Sequence, residues 1–590
     1  MKKITAAICF MFICFTTIAQ TFTHADTLRG SNGPGRAWWD ATKYNLHVKF
    51  NLADSTISGY NIISYKEIEN RHVDYFQIDL QEPMSIDSII MDNGTQSRER
   101  NIGGTIRKTY TNTRRNLSYT RDGNAWFVSL KNMQPATDGR VAENNLRMGE
   151  PVAALPVLNK ISSEKTLAIY YHGKPKVAKH APWDGGLIWT KDKAGNPWIT
   201  IACQGLGASV WYPCKDIQSD EPDSAEIYIT APSELVAVSN GRMRNKINNN
   251  DGTTTTSWAV VNPINNYDLI PYIGKYVHFG EIYKGEKGEL TMDYWVIDSN
   301  LVKARKQFEE APRMMKAFEY WFGPYPFYED GYKLIDAPHL GMEHQSAVAY
   351  GNGYMNGYHG TDLSGSGWGM KWDFIIVHES GHEWFGNNIT SKDIADMWIH
   401  EGFTNYSETL FTEYYFGKKA AEEYVTGIRK NIENKEPIIS AYGVNNEGPI
   451  DMYYKASNMI HTIRQVINND STFRNILRGL NKTFYHQTVT SKQIEDYISQ
   501  QSHHDFSKVF DRYLRTIKVP TLEYSIDNGE LKYRWANVVP GFAMPVKILD
   551  EKGDYIFIYP TESFQQMKTE MKELKVDDNF YLFTRETKMD

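Results

Sequence analysis

In HESGHEWFGNNIT, residues 378–390, two histidines stand four apart and a glutamate follows the first. On a helix, residues four apart share a face, so His378 and His382 can aim their rings at one point off the axis. A hydrolytic metal site usually takes three protein ligands and keeps a fourth position for water. Eighteen residues separate His382 from Glu401, at the start of the helical stretch DMWIHEGFTNYSETLF, a candidate for the third ligand. Its rivals, His400 and Glu383, are each adjacent to a ligand position and so turned roughly 100° off the ligand face. Glu408, seven residues after Glu401, returns to the same face and can accept the second ring proton of a ligand histidine; the plainer alternative is a solvated helix charge. Glu379 is free to act as a base toward a water that the metal activates. The resulting oxyanion needs a donor opposite the metal. Tyr453, in DMYYKASNMIH just before a helix, is one candidate, but spacing does not separate it from Tyr454 or the rest of the 37 tyrosines. The bland alternative for the whole motif is a pair of core histidines on a helix face that Phe374 and Phe385 bury.

These residues need elements to hold them. The first part of the chain reads as strands: KYNLHVKFNL, SGYNIISYKEI, TLAIYYHG, NPWITIAC and AEIYITAP are β-branched or aromatic and alternate with period two. They define an all-β, sandwich-like domain over residues 20–277. Near Asp298 the pattern turns helical: SNLVKARKQFEEAPRMMKAFEYWFG stops at Gly323-Pro324, and helices are expected at 371–386, 401–416, 418–431, 455–468, 472–482, 491–501 and 505–516. The Gly-rich segment 350–369 reads equally as a mobile rim of the site or a surface loop. From Pro520 the pattern returns to strands.

The chain has 590 residues, 41% apolar and 23% charged, which suits a soluble protein of several domains. A formal charge of −7 argues against a nucleic-acid partner. MKKITAAICFMFICFTTIA has the charged head, apolar run and small-residue end of a secretory signal peptide at residues 1–19, cleaved near Ala19. Export to the periplasm or the medium follows, with no stable membrane insertion. Only Cys203 and Cys214 would then remain, either bonded to each other or as isolated buried thiols.

HESGHEWFGN and WIHEGF, with eighteen residues between His382 and Glu401, resemble the zinc aminopeptidases of the aminopeptidase N family, including the leukotriene hydrolase branch. LGMEHQ at 340–345 is similar to that family's glycine-x-Met-Glu-Asn segment, YYKA at 453–456 to its Tyr-x-Lys-Gly, and FGPYPF at 322–327 to another shared segment. The resemblance implies a multidomain α+β protein: the N-terminal β domain, a thermolysin-like, mostly helical zinc domain at 278–518, and a small C-terminal β-sandwich domain at 519–590. It implies one Zn2+ per chain on His378, His382 and Glu401, with Glu379 as base and Tyr453, rather than Tyr454, as oxyanion donor. Glu343 would bind the substrate's free α-amine, within the Gly341–Met342–Glu343 segment that contacts substrate. Gln204, in ACQGLGASVWYPCKD, matches the residue that helps bind the amine and the first side chain.

His344 stands where the family has Asn and is expected to bear on the first-residue pocket, or to add charge near the amine site at low pH. Ala456 replaces a usual Gly. The large helical C-terminal domain of longer members is not expected, which would leave the cleft more open. The function implied is removal of N-terminal residues from peptides with a free N-terminus, by a monomer or weak oligomer. The alternatives are a zinc endopeptidase or epoxide hydrolase, indifferent to N-acetylation of its substrate, and a catalytically silent peptide-binding protein.

Overall fold

The computed structural model describes residues 21–68, 73–93, 96–102, 105–111, 114–131, 133–135 and 165–587. The expected signal peptide lies outside them. All five stretches read as strands are strands. Four of them join a nine-stranded sheet in which Trp39–Asn51 pairs antiparallel with Thr56–Glu67 and parallel with Ser224–Pro232. Alternation sends Tyr44, Leu46, Val48 and Phe50 of Trp39–Asn51 into the core, while its intervening residues are more open. Pro197–Ala202 belongs to a separate four-stranded sheet.

A second, five-stranded sheet begins at Tyr276, with the order Tyr276–Gly285, Gly288–Ile297, Tyr332–Asp336, Val348–Tyr350, Gly341–Met342. Its period-two alternation divides it between two cores. Tyr332, Leu334, Val348 and Tyr350 pack with the helices that follow. Ile335, Met342, Ala347 and Ala349 pack with the N-terminal β sheets. The sheet therefore ties the two halves together, and its edge strand Gly341–Met342 leads directly into Glu343.

The helices follow the expected order with shifted ends. The 298–323 stretch forms two helices, Leu301–Gln307 and Glu310–Phe322, rather than one. The cause is Pro312, whose ring would collide with the carbonyl of Phe308 four residues back in a continuous helix. Residues from Thr521 form a four-stranded sheet and a hairpin whose apolar side joins the helical core through Leu522, Trp535 and Ile548. Cys203 and Cys214 are free, buried thiols. No helix among the described residues is long and apolar enough to cross a membrane.

Candidate active site

Asp373 opens the motif helix Phe374–Gly381, its carboxylate accepting from the N–H groups of Ile375 and Ile376. The helix does not run to 386 as expected. A wide turn at Glu383–Asn387 follows His382, with Phe385 extended (φ −127°, ψ 96°) and Gly386 at φ 135°. Phe385 consequently leaves the ligand face that its spacing assigned it and stacks on Phe403, 4.5 Å between centroids. Phe374 does cover that face, stacking on the His378 ring at 5.1 Å.

Both histidines are oriented from behind. His378 Nδ1 donates to Glu408 Oε1 at 2.7 Å, and His382 Nδ1 donates to the carbonyl of Phe385 at 3.1 Å. Each Nε2 is thereby left as the inward atom. Glu408 is fully buried and also accepts from Asn405 and, at 2.6 Å, from the Tyr424 hydroxyl, so it is not a solvated helix charge. The carboxylate helix, Trp398–Phe416, carries Glu401 in its first turn. It comes close because the motif helix has Gly381 at the contact: a Cβ there would meet Ser407 Oγ at 2.7 Å. On its other side Gly402 faces Ala456 of helix Asp451–Ile467 just as tightly.

Glu401 Oε2 ends 3.7 Å from His378 Nε2 and 3.3 Å from His382 Nε2. The three candidate ligand atoms lie within 4.8 Å of one another. Glu401 Oε2 is buried and faces the two imidazole Nε2 atoms. Two imidazole nitrogens and a buried carboxylate oxygen converging on one point fit the donor set of a hydrolytic zinc ion. Burial pushes the Glu401 carboxyl up, but the His382 charge and hydrogen bonds from both histidines override it and hold it low. Burial pushes Glu379 up to about 7, against the pull of His378. The rivals do not join the cluster: His400 Nε2 accepts from the Ser391 N–H at 2.9 Å, and Glu383 accepts from the Ser346 N–H at 2.8 Å.

Glu343 is brought to the same place. One oxygen of Glu343, one of Glu379 and a nitrogen of His382 lie within 4.8 Å of one another. Gln204 Nε2 donates to Glu343 Oε1 at 2.5 Å, and the Tyr267 hydroxyl donates to the same oxygen at 3.0 Å. Asn387 Nδ2 holds the Glu343 carbonyl at 2.8 Å. Neither Tyr267 nor Asn387 was singled out from the sequence; each reaches Glu343 only through the fold, and no local spacing marks them. Burial raises the Glu343 carboxyl, while the His382 charge opposes that rise. Gly341 backs onto Glu379, where a Cβ would come within 2.5 Å of its Oε1.

His344 turns toward Tyr272. It is fully buried, its Nδ1 lies 2.6 Å from the Tyr272 hydroxyl, and burial drives its pKa well below the usual histidine range. Burial thus disfavours the charged form of His344. Tyr453 sits in the first turn of Asp451–Ile467, not before the helix, and its ring lies over that of His378 at 6.1 Å. Burial raises its phenol well above the usual tyrosine range, and nearby Glu401 adds to this, so it remains a donor. The Gly-rich segment is a built rim: Asn352 Nδ2 donates to Asp373 at 2.9 Å, and Tyr358 packs edge-on against Phe374 at 5.3 Å.

Residues 306–513 match the family described as Peptidase family M1 domain. Among curated proteins the chain is similar to endoplasmic reticulum aminopeptidase 1 of Mus musculus, 22% identical over 296 residues, 48% of this chain and 31% of that protein. It is also similar to tricorn protease-interacting factor F2 of Thermoplasma volcanium, 23% identical over 371 residues, 62% of this chain and 42% of that one. The chain thus spans less than half the length of these two relatives. Among solved structures, a mutant M1 zinc metallopeptidase from Deinococcus radiodurans bound to a Tyr-Ser-Ala substrate superposes with a TM-score of 0.61 at 17% identity, covering 81% of this chain and 95% of that one. The likeness establishes a shared fold of β-rich and helical domains.

Proposed function

We propose that this chain, whose residues 306–513 form a peptidase family M1 domain, is an exported zinc aminopeptidase that removes the first residue of peptides. The observation that carries the reading is the position of Glu343: a carboxylate held by Gln204 and Tyr267 beside the His378–His382–Glu401 cluster, where a substrate's ammonium would pair with it. A carboxylate so placed admits one residue between itself and the metal, which sets the cleavage point after the first residue.

His378, His382 and Glu401 would hold one Zn2+, and Glu408 would keep His378 in the ligating tautomer. Zinc, when bound, supplies Lewis acidity that acidifies water and polarises the first peptide carbonyl. Glu379 removes a proton from the attacking water and passes it to the leaving amine nitrogen. The Tyr453 hydroxyl donates to the oxyanion as charge develops there. The edge strand Gly341–Met342 offers main-chain groups along which the peptide backbone can lie.

The deciding experiment measures initial rates on free and N-acetylated versions of one aminoacyl substrate, with bound zinc counted in the same preparation. Free-amine substrates are expected to be cleaved at least ~100-fold faster, the discrimination a buried charge enforces when its partner is missing. Glu343→Gln should erase most of that difference without removing zinc. Equal rates on both substrate forms in the wild type would point to an endopeptidase instead. A second expectation concerns Glu408→Ala, which should weaken zinc by about 10- to 100-fold in a chelator competition, because His378 loses its orienting acceptor. Unchanged affinity would mean that Glu408 serves packing alone.

A further inference from the structure

We propose that Glu447 selects a cationic first side chain, so that peptides beginning with Lys or Arg are preferred; this rests on the aminopeptidase reading above. The starting point is the segment 443–449, which leads into the helix carrying Tyr453. It is pinned from two sides. The Asn445 N–H donates to the Asp26 carbonyl of the N-terminal helix His24–Gly30 at 3.0 Å, and Asn445 Nδ2 donates to the Gly205 carbonyl at 3.4 Å. Gly30 of that helix lies so close to the Val444 backbone that a Cβ would come within 2.1 Å of it.

Held this way, Glu447 reaches over the turn that carries the amine pocket. Its Oε2 lies 3.4 Å from a Cβ position built on Gly205, the residue after Gln204, and Gln204 is hydrogen-bonded to Glu343. The Glu447 side chain is exposed. Among the described residues no Lys, Arg or His nitrogen lies within 4.0 Å of its carboxylate. Partial desolvation and the carboxylates of Glu401 and Glu343 push its pKa up, with Arg29 opposing them, so Glu447 and the site feel each other's charge.

The chemistry follows from the substrate's own geometry. The first side chain and the α-ammonium leave the same carbon. With the ammonium on Glu343, the side chain emerges beside Gln204 and Gly205, under Glu447. A neutral side chain leaves Glu447 beside two other carboxylates with only the more distant charge of Arg29 to oppose them; a Lys or Arg side chain supplies a direct partner. Arg29 is the rival determinant and would select an acidic first residue. It lies against Gly207 and has Asp216 at 3.9 Å, so its charge is already partly answered.

The test uses the zinc-loaded full-length protein and four fluorogenic substrates: Lys, Arg, norleucine and Glu. In the wild type, kcat/KM for Lys over norleucine should be on the order of fivefold to tenfold, the scale of one solvent-accessible ion pair, and should shrink as salt is raised. Glu447→Gln should bring the ratio close to one, and Glu447→Lys should turn the preference toward Glu. A wild-type ratio at or below one, or a ratio that Glu447→Gln leaves intact, overturns the assignment. A wild-type preference for Glu overturns it in favour of Arg29. If zinc-loaded protein cleaves no free-amine substrate at all, the aminopeptidase reading falls and takes this inference with it.

Discussion

Replacing Glu379 by Gln is expected to lower kcat/KM by about three orders of magnitude while zinc and fold are retained, the scale of losing a positioned base. Gln keeps the size and the hydrogen-bonding atoms of the side chain, so the tight fit against Gly341 survives. It removes only the ability to take a proton from water and return it to the leaving amine. Removing a charge from a buried cluster that already holds Glu343 and Glu401 should leave thermal stability equal or higher. Parallel measurements of kcat/KM, zinc content and Tm separate the possibilities. Near-normal turnover would place the base elsewhere. Loss of zinc together with turnover would make Glu379 a structural element of the site.

His382→Ala should fail in a different way, losing the metal itself. Two donors, His378 and Glu401, do not hold zinc against dialysis where three did. Activity should fall below detection, and zinc content should fall with it. The matched control is His400→Gln, which alters a neighbouring buried imidazole that bonds the Ser391 N–H and does not join the cluster. It should retain one zinc per chain. If His382→Ala still retained stoichiometric zinc, the ligand set would have to be redrawn around other residues.

The motif spacing carried the centre of the site because its geometry is local. Four residues on a helix put His378 and His382 on one face whatever surrounds them, and the rotation argument that set aside His400 and Glu383 agrees with their bonds elsewhere. Other features depended on contacts between distant segments. Tyr267 and Glu447 reach the amine pocket from loops 76 and 104 residues from Glu343, and no periodicity in one chain marks such a meeting. The end of the motif helix was misjudged because Trp384 and Phe385 prolong an apolar pattern that Gly386, at positive φ, interrupts. His344, in the place of the family's Asn, is expected to bear on the first-residue pocket or to add charge near the amine. In an extended segment, adjacent side chains point to opposite sides, and that alternation sends it to Tyr272 instead. The residues chosen only by family resemblance, Glu343 and Gln204, do meet, at 2.5 Å.

The edge strand Gly341–Met342 bears on what a population of peptides would become. Main-chain groups along a sheet edge read direction and extension but not side-chain identity, so residues beyond the first would be gripped alike. Each product would then present the same backbone and a fresh ammonium, and could re-enter as the next substrate. The output of such a site is a ladder of progressively shortened chains rather than one defined fragment. The rungs would stall wherever a proline withholds its N–H from the edge.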